Sequence, residues 1–206
     1  MKKILSLLVG ISLLLVLVAC GDKTVANNAN VEKAVVEGGN TVAAPKVEIA
    51  IKDYGVIQVE LDEKAAPITV ENFLKLVNDG FYNGLTFHRI IPGFMIQGGD
   101  PNGDGTGGSA NTIKGEFASN GVQNDIKHVR GVISMARAMD PNSASSQFFI
   151  MHADAPHLDG DYAAFGHVIS GIEVVDAVCE KVPTQDRNGT VLKDDQPVIE
   201  YIKEIK

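Results

Sequence analysis

The sequence predicts a mainly β domain of eight short strands and two helices over residues 46–206. Three observations carry this expectation: apolar and polar residues alternate with period two in several short runs, only two stretches keep a 3.6-residue period, and Gly, Pro, Asn and Asp punctuate the intervals. Val47–Ile51 alternates, turns at Asp53-Tyr54-Gly55 and resumes over Val56–Leu61, which reads as a β-hairpin. Thr69 is then placed to cap a helix in which Val70, Phe73, Leu74 and Val77 share one face, with Gly80 as its end. Phe87–Ile91 and Phe94–Gln97 read as strands on either side of Pro92-Gly93, followed by a Gly-rich loop over 98–110. Further strands are expected at 131–136, 147–151 and 163–168. Ile172, Val175, Ala177 and Val178 support a second helix, with Glu173 near its start as the helix dipole prefers. Val198–Ile205 alternates as a closing strand. Many short strands with turns between them indicate a barrel or a sandwich, and periodicity does not choose between the two.

The segment ahead of this domain reads as an address. Two lysines precede an apolar run from Ile4 to Ala19, shorter than the roughly 20 residues a membrane-spanning helix needs. Leu17-Val18-Ala19-Cys20 resembles the lipobox of bacterial lipoproteins, in which cleavage precedes the cysteine and its sulfur takes a diacylglyceryl group. The resemblance implies a signal peptide at 1–19, lipidation of Cys20, and an extracytoplasmic protein held to a bacterial membrane. An uncleaved anchor helix and ordinary cleavage with release are the alternatives. Residues 20–45, rich in Asn, Ala, Val and Gly, read as the lipidated cysteine and a flexible tether.

The formal net charge of −8 argues against a nucleic-acid partner, because phosphate contacts need clustered Lys and Arg. With Cys20 assigned to lipid, Cys179 has no disulfide partner and sits in an apolar helical pattern as a core residue. Nothing in the chain calls for more than a monomer.

The stretch that carries chemistry runs from Tyr82 to Asp100: YNGLTFHRIIPGFMIQGGD. It resembles the cyclophilin signature of Phe-His-Arg, two aliphatics, Pro-Gly-Phe-Met, one variable residue and Gln-Gly-Gly-Asp. Further blocks follow in that family's order: Gly105-Thr106-Gly107-Gly108, Ser134-Met135-Ala136, Ser146-Gln147-Phe148-Phe149-Ile150, Leu158-Asp159-Gly160 and Phe165-Gly166. The resemblance covers residues 46–206. It implies a closed eight-stranded antiparallel barrel capped by two helices, with a groove on the outer face, peptidyl-prolyl cis-trans isomerase activity, and no metal or other cofactor. It assigns Arg89, Gln97 and Phe94 to catalysis, and Met95, Ala136, Arg137, Gln147, Phe149, His157, Leu158 and Tyr162 to substrate binding.

The residue types suit that chemistry. An amide resists rotation by about 18–20 kcal/mol because its nitrogen lone pair is delocalised. In the twisted transition state the lone pair is localised, so a donor aimed at the prolyl nitrogen and an apolar pocket for the ring both favour that state selectively. Arg89 supplies an always-charged directional donor, and Phe94, Met95, Phe149 and Leu158 supply the walls. Gln97 and Gln147 position Arg89 or the substrate backbone, and the backbone at Arg137 pairs with the substrate chain. Proline-containing polypeptides are the implied partners, in a role assisting the folding of exported or surface proteins. The rival reading is a proline-segment-binding chaperone or adaptor with incidental turnover.

This chain aligns His157 where many eukaryotic relatives carry Trp and Tyr162 where they carry His, has Arg137 in place of the commoner Asn, and holds one residue more than the usual loop in the stretch containing Met139 and Asp140. The first change predicts weak binding of cyclosporin-like ligands. Asp100-x-Asn102-x-Asp104-Gly105 matches half of a calcium loop, but Asn111 stands where the closing Glu belongs, so it reads as a backbone-shaping loop. Strand alternation would point His88 away from Arg89, as a hydrogen-bonded interior histidine. His152 and His157 lack metal-ligand company, and Ser134, Ser145 and Ser146 lack a nucleophile-elbow setting.

Overall fold

A computed structural model describes residues 43–206. The predicted signal peptide, Cys20 and all but the last residues of the tether lie outside the described residues.

The strands are β1 (Lys46–Ile51), β2 (Gly55–Leu61), β3 (Thr86–Ile91), β4 (Met95–Asp100), β5 (Val132–Met135), β6 (Phe148–Met151), β7 (Ala164–Ser170) and β8 (Ile199–Ile205), with helices α1 (Pro67–Asn78) and α2 (Ile172–Lys181). All pair antiparallel in one sheet of order β3-β4-β6-β5-β7-β2-β1-β8. The expected β1–β2 hairpin forms, with Val47 opposite Val59 and Ile51 opposite Gly55.

The expected closed barrel is corrected to an open, curled half-barrel. Its end strands β3 and β8 form no ladder, and an isolated bridge between Thr86 and Val198 is where they meet. The reason is local. The other half of β3 is covered by residues 188–191: Ile90 N–H donates to Gly189 O at 2.8 Å and Val191 N–H to His88 O at 3.0 Å. The free edge of β3 is thus satisfied by a loop, so no strand is needed to close the sheet.

Helix α1 also differs from expectation. It starts at Pro67, where the missing N–H costs nothing, and Thr69 lies buried inside its first turn instead of capping it. The cap comes from far away in the chain. The buried Glu116 carboxylate accepts Ile68 N–H at 3.0 Å, Thr69 N–H at 2.8 Å and Thr69 Oγ1–H at 2.7 Å, neutralising the positive end of the helix dipole.

Along β4, β5, β6 and the start of β7 the sheet is apolar on both faces, and β6 shows why. Phe148 and Ile150 point into the main core with Phe73, Tyr82, Phe87 and Phe165, while Phe149 and Met151 point outward into a smaller cluster with Met95, Val132, Leu158 and Ala164. Strand alternation sends successive residues to opposite faces, so a continuous apolar run serves a core and a groove at once. Cys179 belongs to the main core, where burial pushes its thiol pKa up to about 12.

Candidate active site

The outer cluster floors an open cavity of about 300 Å³ lined by Arg89, Phe94, Met95, Gln97, Ala136, Arg137, Phe149, Leu158, Tyr162 and Asn188. All but two of the predicted groove residues therefore meet here. Gln147 lines an adjoining cavity of about 350 Å³, reached past Gln97, Ala136 and Arg137. His157 lines neither. It stacks on Phe94 with ring centroids 5.7 Å apart and supports that wall from outside.

Arg89 lies on β3 directly opposite Gln97 on β4. Its Nη1 donates to Gln97 Oε1 at 3.3 Å, its Nε to the Asn188 carbonyl at 2.8 Å and its Nη2 to Asn188 Oδ1 at 3.2 Å. Half-burial lowers its pKa, opposed by Tyr162 and Asp186, yet a guanidinium stays protonated in any working range. Gln97 continues the chain by donating Nε2–H to Gln147 Oε1 at 2.9 Å, and Gln147 donates to Gly107 O at 2.7 Å. A polar line thus ties the guanidinium to the Gly-rich loop along one side of an apolar hollow.

The hollow is rigidly built. Met95 and Phe149 are buried, and Tyr162 meets Phe149 edge-on at 5.9 Å. Behind Phe149 lies His128, stacked on it at 6.1 Å, with Nδ1 near Asp159 Oδ1 at 3.2 Å and Nε2 near Ser134 Oγ at 3.0 Å. This Ser-His-Asp line is scaffolding, since Ser134 is fully buried and borders neither cavity. Ser146 is equally committed, donating to Gly99 O at 2.8 Å. The acidic loop start is spent on shape: Asp100 accepts N–H groups from Asn102, Asp104 and Gly105.

His88 departs from expectation twice. The register of β3 slips between Phe87 and Arg89, a bulge that turns Phe87 and Ile90 both inward and leaves His88 and Arg89 lining the same side cavity. His88 is also not hydrogen-bonded: it is buried with both ring nitrogens unpartnered.

The sequence reading missed Asn188 and His128. Asn188-Gly189 is legible as a turn, but nothing local ties it to an arginine 99 positions away.

Residues 46–203 match the family model described as cyclophilin type peptidyl-prolyl cis-trans isomerase/CLD. The chain belongs to this family. Among curated cyclophilin-type relatives, peptidyl-prolyl cis-trans isomerase B of Bacillus subtilis is 51% identical over 60% of this chain and 82% of its own. Human peptidyl-prolyl cis-trans isomerase-like 3 is 46% identical over 69% of this chain and 86% of its own. A Cryptosporidium parvum cyclophilin-type isomerase solved in the presence of the dipeptide Ala-Pro superposes with a TM-score of 0.69 at 35% identity, covering 78% of this chain and 99% of that one. The protein is accordingly a peptidyl-prolyl cis-trans isomerase.

Proposed function

We propose that Arg89 catalyses X–Pro rotation by donating to the prolyl nitrogen as the amide leaves planarity, while Phe94, Met95, Phe149 and Leu158 hold the ring. The observation that supports this is the three-point hold on the guanidinium by neutral acceptors at the margin of an apolar cavity. Of the five N–H groups an arginine carries, two remain for a substrate. Millisecond exchange requires roughly 5–7 kcal/mol of transition-state stabilisation relative to the uncatalysed reaction. A charge-assisted hydrogen bond in a partly desolvated site, with the geometry already set, supplies energies of this order. Gln97 and Gln147 keep the donor in place, and Ala136 and Arg137 flank the bound chain.

We further propose that the protein works as a monomer outside the cytoplasm, lipidated at Cys20 and assisting the folding of exported or surface proteins. The support is the charged start, short apolar run and Leu-Val-Ala-Cys stop of residues 1–20. Cys20→Ser is expected to abolish fatty-acid labelling of the cell-expressed protein; labelling that persists removes the anchor reading.

Arg89→Ala decides between catalysis and simple binding. Exchange NMR on a short proline peptide should show turnover reduced about 100-fold or more, with peptide binding largely kept. Unchanged turnover would return the groove to the adaptor reading.

A further inference from the structure

The domain is acidic, with a chain net charge of −8, yet neither of the two adjoining groove cavities has an Asp or Glu in its lining. Arg137 borders both cavities. Its guanidinium is fixed without any counter-charge: Nε and Nη2 donate to the Asp161 carbonyl at 3.0 and 2.9 Å, and Nη1 donates to the Ala138 carbonyl at 2.9 Å. Its carbon lies 4.7 Å from the centre of the Tyr162 ring and 5.1 Å from that of Phe117. Arg89 is likewise held by a carbonyl and two side-chain amides. Some of the chain's other cations are neutralised, as where Arg130 meets Asp176 at 2.8 Å and Lys203 meets Glu48 at 2.9 Å. Among the described residues, neither groove arginine forms an ion pair. The nearby acid Asp186 acts on Arg89 through space without pairing with it, its carboxylate accepting instead the N–H and hydroxyl of Thr190.

A guanidinium whose partners are only dipoles keeps its field, and a concave surface with apolar walls concentrates that field on whatever enters. Two such charges lining one cavity favour an anionic guest. Building on the isomerase reading, we propose that this groove prefers proline-containing segments with an Asp or Glu within three residues of the proline, and that Arg137 is the residue that sets this preference. Three extended residues reach about 10 Å, enough to carry a side chain from the ring cavity past Arg137.

The test compares short proline peptides bearing Glu, Gln or Lys at each of the three positions on either side of the proline. They are followed by exchange NMR with the full chain in micelles of neutral detergent. The readout is the Glu-to-Gln ratio of kcat/KM at the best position. It is expected to be about two- to fivefold, the usual worth of one solvent-accessible ion pair, with Lys slower than Gln. The ratio should shrink in 0.5 M salt (about a 4 Å screening length), fall to about one in Arg137→Gln and survive in Arg137→Lys. A purely structural role for Arg137 would change all peptides alike and leave the ratio intact. A wild-type ratio of one, a preference for Lys, or a ratio unchanged in Arg137→Gln overturns the proposal. Absence of turnover for every peptide counts against the isomerase reading instead, and the Glu-to-Gln ratio of affinities from shift titration then decides this one.

Discussion

The Nε of Arg89 donates to the backbone carbonyl of Asn188 at 2.8 Å, so the orientation of the groove arginine depends on a turn that belongs to no regular element. That turn is well determined. Asp186 accepts Thr190 N–H at 3.1 Å and Thr190 Oγ1–H at 3.0 Å, and Gly189 N–H donates to Asp186 O at 3.1 Å. Gly189 itself sits at φ +79°, where a Cβ would run into the Ile90 carbonyl oxygen.

Gly189→Ala should therefore act as an active-site substitution although residue 189 has no side chain. The added methyl meets an unfavourable backbone conformation costing about 1 kcal/mol and a collision with β3 that moves the turn away from Arg89. If Arg89 is the proposed donor, a small misplacement costs up to about 100-fold, so kcat is expected to fall about tenfold or more with only modest loss of stability. Measured kcat within twofold of the parent would show that the turn does not position the arginine.

Much of this architecture was legible in the chain because of side-chain alternation. β2 buries every second residue, Ile57, Val59 and Leu61, and the Phe148–Met151 run is apolar throughout because Phe149 and Met151 line the groove cluster while their neighbours line the core. Nearly all of the motif's residues gather at one cavity for a related reason: Arg89 and Gln97 are close in sequence and face each other across one hairpin. What failed to show were relations that no period encodes. Closure of the sheet depends on what covers β3, and that is a loop 99 positions distant. The facing of His88 was hidden by a bulge that shifts the count by one. The start of α1 was misplaced because its cap lies 47 positions away from the helix in Glu116.

Glu116 offers the clearest stability test. Its carboxylate is buried and serves three donors at the first turn of α1. Glu116→Ala strands all three away from water and removes the anion from the helix terminus, for an expected loss of about 3 kcal/mol in unfolding free energy. Glu116→Gln retains one acceptor oxygen and should lose less. Denaturant midpoints measure both; a Glu116→Ala protein as stable as the parent would mean that water reaches the helix end.

Two buried imidazoles give the pH dependence its sign. Burial lowers the pKa of His88, against Asp100 and Asp104 and assisted by Arg89. Burial also lowers that of His128, against the hydrogen bond and charge of Asp159 and assisted by His157 and Lys127. Each is neutral when folded and takes a proton more readily when unfolded, at the ordinary value of 6.5. The unfolded chain thus binds more protons below that value, and stability declines as pH falls from 6.5 toward the folded pKa values. Denaturant midpoints at pH 7.5, 6 and 5 should fall in that order, and His88→Gln should flatten part of the slope. Midpoints that rise on acidification across this window would show that the imidazoles are charged in the native state.

Cyclosporin-like ligands provide the last test, because they address a wall that this chain has rebuilt. His157 stands where many eukaryotic cyclophilins have Trp, and it stacks on Phe94 without reaching the cavity lining. An imidazole offers less apolar area than an indole, and each lost Å² of buried apolar contact costs about 25 cal/mol. A few tens of Å² and one missing N–H donor together weaken binding by about 2 kcal/mol, roughly 30-fold. The expected dissociation constant lies above about 100 nM, as measured by calorimetry, and His157→Trp should tighten it while leaving turnover in place. Tighter binding by the parent chain would mean that Phe94 and Tyr162 already form a complete wall, with His157 irrelevant to it.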